Sequence, residues 1–388
     1  MYELLWLLLP VAAASGWFAA RRSARRNQQA GRNEFSRDYF RGLNFLLNEQ
    51  PDKAIEVFVQ MLEVDSDTVE THLALGNLFR RRGEVDRAIR IHQNLIARPT
   101  LSREQRAQAL LELSQDYMRA GLFDRAESLL LELLDNNLHT RPALRHLLDI
   151  YQQEKEWDRA IDIARRLESE TGRGMKPVIA QFHCEQAEEA LGRGDLATAT
   201  GLIKRALGHD RRCVRATLLQ AGILMRGRQY KAAIKTLRRV EEQDPDFIPE
   251  ILEPLRQCHE ALGTLTALRD YLDGLAERYP GISPVLAEAD LLREQEGDDA
   301  AVRFLAEQLR QKPSVQGLAR LIDLQAGTAD GKVRDDLEML GQLVDRLLEG
   351  RPVYQCRRCG FEGKSLHWQC PGCKEWNTVK PIQGVIGE

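Results

Sequence analysis

Between residues 42 and 301 the chain returns eight times to one short pattern, a turn-forming residue followed at a fixed offset by alanine. The recurring alanines are Ala54, Ala88, Ala126, Ala160, Ala199, Ala233, Ala267 and Ala301, so the steps are 34, 38, 34, 39, 34, 34 and 34 residues. No other property of the sequence restricts its fold so strongly. One period is too short to bury a core alone, so successive copies must stack and share one. Segments such as Gly83-Glu84-Val85-Asp86-Arg87-Ala88-Ile89 and Gly121-Leu122-Phe123-Asp124-Arg125-Ala126 put a turn residue just ahead of an amphipathic stretch, the mark of a helix start.

Other positions keep the same phase. Twelve residues before the alanine stands a small residue: Gly42, Gly76, Ser114, Ala187 and Ala221. A small side chain there lets two helices cross closely. Nine before it stands an aromatic: Phe45, Phe79, Tyr117 and Tyr151. Pro245, Pro280 and Pro313 close later copies, because proline ends a helix. This is the tetratricopeptide period, and it predicts an all-α superhelix of helix pairs over residues 35–313. Six copies are clear and two are weaker. The fourth carries Leu148 at the small position, and the copy around Ala267 carries Cys258 at the aromatic one. The two longer steps predict loops near Arg98-Pro99-Thr100-Leu101 and Thr171-Gly172-Arg173-Gly174. Residues 314–350 keep helical spacing in Leu337, Leu340, Leu343, Val344, Leu347 and Leu348 but lose the phase, as expected of capping helices.

The amino end is of another kind. Leu4 to Ala20 contains no charged residue, with Trp6 and Trp17 towards its ends. Its 17 residues span about 25 Å as helix, near the lower limit for crossing a bilayer. Arg21, Arg22, Arg25 and Arg26 follow directly. Positive charge after the apolar run predicts that the N-terminus crosses and the body stays in the cytoplasm. The alternative, a cleaved signal peptide ending near Ala12-Ala13-Ala14, wants its positive charge before the run. Residues 1–20 are therefore read as a single-pass transmembrane anchor and 21–34 as a basic juxtamembrane linker.

The carboxyl end carries two knuckles, Cys356-Arg357-Arg358-Cys359 and Cys370-Pro371-Gly372-Cys373, ten residues apart. Each turn aims two sulfurs at one point, and two such turns make a tetrahedral four-sulfur site for one Zn or Fe ion. The alternative is two disulfides or idle thiols. Residues 351–388 are too few for an adequate hydrophobic core, so the metal would supply most of their folding free energy. The remaining cysteines, Cys184, Cys213 and Cys258, stand singly in helical patterns. They read as buried small hydrophobes in a reducing compartment rather than as a disulfide framework.

No P-loop, G-x-G-x-x-G, G-x-S-x-G or H-E-x-x-H is present, and the eight histidines are scattered. A closed four-sulfur site has no open position with which to activate water. The sequence therefore predicts no enzyme. Net charge of −3 argues against broad nucleic-acid binding. Arg357, Arg358, Lys364, Trp368, Lys374 and Trp376 would suit a nucleic-acid ribbon, but they sit on a chain of acidic balance. The knuckles, with Gly360 and Pro371, resemble rubredoxin, which admits a redox role. Lys374 stands where rubredoxin has glycine, however, and the spacer is much shorter. A structural or recognition module is the favoured reading, folded against the last helices through Tyr354, Phe361, Trp368 and Trp376. Repeat arrays bind partners in the groove lined by their first helices. Inward positions there are Asn77, Arg80 and Arg81, then Gln115 and Arg119, then Arg145, Asp149 and Gln152. This polar, mostly basic set could hold an acidic segment of a partner, or could be a solvated helix face.

An apolar anchor followed by arginines, a 34-residue helical array and a four-cysteine tail, in that order, resemble the lipopolysaccharide assembly protein B family (LapB, also called YciM) of Gram-negative bacteria. The resemblance covers the whole chain. It implies a regulator rather than an enzyme, set in the inner membrane with its N-terminus periplasmic. The family works with the AAA+ protease FtsH, promotes destruction of the lipid A deacetylase LpxC, and is opposed by an inner-membrane lipopolysaccharide-sensing protein. Alternatives are a hub assembling lipopolysaccharide-synthesis enzymes, or a rubredoxin-type redox module on a repeat scaffold. Homo-oligomers are compatible with the sequence.

Overall fold

The computed structural model describes residues 40–45, 48, 50, 53–58, 69–385 and 387. The expected anchor at 1–20 and linker at 21–34 lie outside the described residues. Among the described residues no helix is long and apolar enough to cross a membrane. The chain divides into two compact units, Met1–Thr171 and Gly172–Glu388.

In the first unit, helical segments at 40–45 and 53–58 precede α1 (Val69–Arg82), α2 (Val85–Ile96), α3 (Arg103–Arg119), α4 (Phe123–Asp135), α5 (Thr140–Gln153) and α6 (Trp157–Thr171). Each helix packs on the next. A capping box starts α3, where Ser102 accepts from the Gln105 backbone N–H and the Gln105 side chain accepts from the Ser102 N–H.

The second unit continues with α7 (Lys176–Gly192), α8 (Leu196–His209), α9 (Val214–Arg226) and α10 (Tyr230–Leu237). A short α11 (Val240–Gln243) and a 3₁₀ turn (Pro245–Phe247) lead to α12 (Pro249–Leu262) and α13 (Leu265–Arg278). Then come α14 (Ser283–Glu296), α15 (Asp298–Gln311), α16 (Val315–Thr328) and α17 (Lys332–Leu348). Three short strands finish it, β1 (Tyr354–Cys356), β2 (Glu362–Gly363) and β3 (Val379–Pro381), as an antiparallel sheet in the order β2-β1-β3.

The repeat phase has a plain structural meaning. Ala88, Ala126, Ala160, Ala199, Ala233 and Ala301 are each the fourth residue of the second helix of a pair, and each is fully buried. Five residues before the first five of these, the chain turns left-handed, at Gly83, Gly121, Lys155, Gly194 and Arg228 (φ 87, 74, 59, 77 and 55°). That turn reverses the chain between the two helices of a copy.

The seventh copy corrects the sequence reading. Ala267 is exposed, and the buried fourth residue of α13 is Leu268. Its left-handed turn, Gly263 (φ 66°), lies five residues before Leu268. The true steps on either side are 35 and 33 residues. A leucine stands where the other copies have alanine, so the alanine signal pointed one residue away.

The fourth copy's departure has a packing answer. The small residue of each first helix is matched sixteen residues later by one in the second helix. A Cβ on Gly42 would lie 2.7 Å from the Phe58 ring, and one on Gly76 would lie 2.4 Å from His92 Nε2. Where Leu148 fills the small position, its counterpart is Ala164, wholly buried. The bulk has changed sides and the crossing keeps a similar total volume.

The expected loops fall between α2 and α3 and between α6 and α7, and Pro280 and Pro313 follow the ends of α13 and α15. Residues 314–350 form α16 and α17. No residue of α17 is buried, and Val333, Met339, Leu340, Leu343 and Leu347 are exposed along it.

Candidate metal centre

Both knuckles are built by the same backbone pattern. The N–H of Cys356 donates to the carbonyl of Phe361 (2.7 Å), and the N–H of Gly360 to that of Cys356 (3.0 Å). Likewise Cys370 donates to Glu375 (2.9 Å) and Lys374 to Cys370 (2.9 Å). The fifth residue of each must turn left-handed, and Gly360 (φ 76°) and Lys374 (φ 60°) both do. The lysine that departs from rubredoxin therefore takes the glycine's conformation, at a cost of about 1–2 kcal/mol. Gly372 lets the second knuckle press on the first, since a Cβ there would meet Cys359 Sγ at 3.3 Å.

The four cysteines converge. Their sulfurs all lie within 4.8 Å of one another, with Cys356–Cys373 at 3.8 Å and Cys359–Cys370 at 3.6 Å. A tetrahedron with metal–sulfur bonds of about 2.3 Å has sulfur–sulfur edges of about 3.8 Å. Cys356 and Cys370 are buried, Cys373 is half-buried and Cys359 is exposed. Burial raises the Cys356 thiol, but its hydrogen bond with Thr378, those from the N–H groups of Cys359 and Arg358, and its contact with Cys370 outweigh burial and bring it down to about 6. Burial pushes the Cys370 thiol up to about 11, with Cys356 and Cys359 adding to the rise. So much sulfur in so small a volume favours a cation, and a four-thiolate donor set fits zinc or iron.

The sequence placed this module against the last helices; the structure places it elsewhere. It docks on α7, α9, the 3₁₀ turn and α12. The Trp368 ring packs on Phe247 (5.3 Å between centroids), and Trp376 meets Phe182 edge-on (5.8 Å). Between the two tryptophans lies the guanidinium of Arg215, 5.9 and 6.0 Å from their centroids and 3 % exposed. Glu185 (2.8 Å) and Glu188 (2.9 Å) on α7 neutralise it. Tyr354 donates to Glu250 (2.6 Å), Gln383 to the Tyr279 hydroxyl (3.0 Å), and Lys380 pairs with Asp244 over the Phe247 ring. Tyr354, Trp368 and Trp376 were foreseen as docking residues, but their partners were not. Phe361 stays within the module, edge-on to His367 at 6.0 Å. One backbone contact does reach a late helix, from the Val315 N–H to the Val385 carbonyl (2.8 Å).

The expected groove residues belong to the first unit, on α1, α3 and α5. Arg80 is engaged inside the protein. It donates to Asn77 (2.7 Å), Glu112 (2.6 Å) and Asp116 (2.8 Å), which clamps α1 to α3. Asp116 is wholly buried and also holds His92 Nδ1 at 2.5 Å. Glu112, Asp116 and His92 went unnoticed in the sequence; the two acids fall 32 and 36 residues after Arg80. Arg81, Arg119 and Arg145 are exposed, Gln115 is half-buried, and Gln152 donates to the Leu148 carbonyl (3.2 Å). Asp149 keeps an open face, yet protein crowding removes enough water to push its carboxyl up to about 6.

Comparison with known proteins adds to this geometry. Residues 354–381 match the family described as "Rubredoxin metal binding domain", and 71–107, 111–174 and 184–246 match families described as "Tetratricopeptide repeat". A protein of Escherichia coli strain K12 called lipopolysaccharide assembly protein B is 41% identical over 388 residues, covering 100% of both chains. The chain belongs to the lipopolysaccharide assembly protein B family. A Haemophilus influenzae member is 40% identical over 391 residues and covers 98% of each chain. Among solved structures, the MamA protein is 22% identical, covers 47% of this chain and 94% of its own, and has a TM-score of 0.35. In this chain the repeat array and the rubredoxin-like four-cysteine module are two parts of one sequence.

Proposed function

We propose that the protein is a non-enzymatic adapter of lipopolysaccharide synthesis at the inner membrane, promoting FtsH-dependent proteolysis of LpxC. The observation that carries the reading is identity of 41% along the entire length to lipopolysaccharide assembly protein B. The physical parts suit such a role. Helical repeats offer a long surface to a partner protein. Arg81, Arg119 and Arg145 remain as exposed cations on the first unit for an acidic segment. A centre with four protein sulfurs serves folding and recognition rather than water activation.

The apolar run at 4–20 would hold the adapter in the plane of the membrane, N-terminus outward and repeats in the cytoplasm. Confinement beside a membrane protease raises effective concentration without any new contact. An inner-membrane lipopolysaccharide sensor would act on this same complex.

The test is the lifetime of LpxC after protein synthesis is blocked, with and without the protein. Longer-lived LpxC on depletion is expected. Unchanged decay together with stable co-purification of several lipopolysaccharide enzymes would replace the adapter with an assembly hub. Deleting residues 1–20 should weaken the effect, and full activity of the truncated chain would remove the anchor from the mechanism.

A further inference from the structure

Cys184 and Cys213 are 29 residues apart in sequence, yet their sulfurs lie 3.9 Å from each other. Both side chains are buried. Cys184 belongs to α7, and Cys213 is the residue that caps the start of α9. The Gln181 side-chain amide points its N–H at Cys213 Sγ (3.6 Å), and the buried Arg215 lies two residues on. The cluster divides the labour between its thiols. The hydrogen bond with Cys184 is the chief cause holding Cys213 below its ordinary range, against burial. The same bond, with burial, pushes Cys184 well up. Within the pair, loss of a proton is therefore easier from Cys213 than from Cys184. Cys258, buried in α12, lies outside this pair.

We propose that Cys184 and Cys213 form an oxidisable dithiol, a modification site for small hydroperoxides that closes to an intramolecular disulfide. The Cys213 thiolate attacks one peroxide oxygen and the O–O bond breaks. The departing oxygen takes a proton and leaves as water or alcohol, and Cys213 becomes a sulfenic acid. The Cys184 sulfur then attacks the Cys213 sulfur. The S–O bond breaks and water departs with the Cys184 proton. Two thiols lose two electrons in all, and one peroxide gains them. The sulfurs must close to about 2.05 Å, a movement within reach of side-chain rotation in this cluster. A disulfide of this kind in a reducing compartment is a transient, signalling one. Its position gives it a readout. Cys184 is two residues from Phe182, which meets Trp376, and Cys213 is two residues from Arg215, which lies between Trp368 and Trp376. The bond would tether the two segments on which the ribbon rests.

The test uses the full chain carrying its metal. It is treated with hydrogen peroxide, unfolded in N-ethylmaleimide, digested and weighed. The expected product is a peptide joining Cys184 to Cys213, lighter by two hydrogens and cleaved by dithiothreitol, with a shift in tryptophan emission before unfolding. Cys184→Ser should abolish the cross-link and leave Cys213 trappable by dimedone. Full alkylation of Cys184 and Cys213 after peroxide, at the level of Cys258, overturns the proposal. So does oxidation confined to the four ribbon cysteines. The wild-type measurement decides even where the variant fails to fold.

Discussion

In the helical pairs one buried position recurs, filled by Ala88, Ala126, Ala160 and Ala199, and a matched side chain lies sixteen residues after each small one. In the ribbon, the buried apolar side chains are Val379 and Pro381, beside two buried cysteines. The helices distribute their stability over many similar contacts, each with its own neighbour. The ribbon concentrates it at one point, where four sulfurs meet within 4.8 Å, and at one docking site around Arg215. A lesion in the array should therefore be graded and local, whereas a lesion at the knuckles should be all-or-none.

The largest effect tests the all-or-none half. Cys370→Ser, or removal of the metal by a chelator, should unfold residues 351–385 and leave the helices intact. Structural zinc sites of this type bind with on the order of 10 kcal/mol. Elemental analysis should show loss of the metal, with helical circular dichroism unchanged and Trp368 and Trp376 emission moved to the red. A parallel loss of helix would show that the array depends on the ribbon for more than docking.

Glu288 tests the array under pH. It is 4 % exposed with Oε2 unpartnered, and burial, with Asp273 adding, raises its carboxyl to about 7. The folded state thus binds a proton that the unfolded chain has released above its ordinary value of 4.5. Stability contributed here should fall as pH rises from that value to about 7, by up to about 3 kcal/mol, and level off above it. Glu288→Gln should flatten that slope in urea titrations. An unchanged slope would place the cause elsewhere.

Gly76→Ala puts a methyl 2.4 Å from a His92 ring that Asp116 holds in place. Overpacking of this sort costs about 1–3 kcal/mol. Hydrogen exchange should show the loss concentrated in α1 to α3, with residues 354–381 unaffected.

Arg215→Met should uncouple docking from folding. It removes the cation between the tryptophans and leaves Glu185 and Glu188, both partly exposed, without their partner. A cost of about 1–3 kcal/mol is expected, with metal content kept and tryptophan emission shifted. Metal loss would mean that the ribbon cannot fold undocked. Smallest of all, Lys374→Gly should stabilise the second knuckle by about 1 kcal/mol, read as slower metal release to a chelator.

Much of this architecture can be read along the chain because its causes are local. A buried alanine at the fourth residue of a helix repeats with the copy, and two cysteines three residues apart define a turn. Leu268 shows where such reading slips. With alanine absent, the better guide is the turn residue Gly263, five positions earlier. The docking of the ribbon was not legible. Tyr354 to Glu250, Lys380 to Asp244 and Arg215 to Trp368 join residues more than 100 positions apart, and no periodicity encodes such pairs. The same limit hid the meeting of Cys184 with Cys213. It also hid the use of Arg80, whose charge pointed outward to a ligand until Glu112 and Asp116 were found beside it.

The most direct test of the account follows LpxC decay, after synthesis is blocked, in cells whose sole copy of the protein carries Cys370→Ser. The account predicts that LpxC persists, to the extent expected on depletion, while the helical array remains folded and abundant. Decay at the wild-type rate from a metal-free protein would contradict it, because regulation would then need no ribbon.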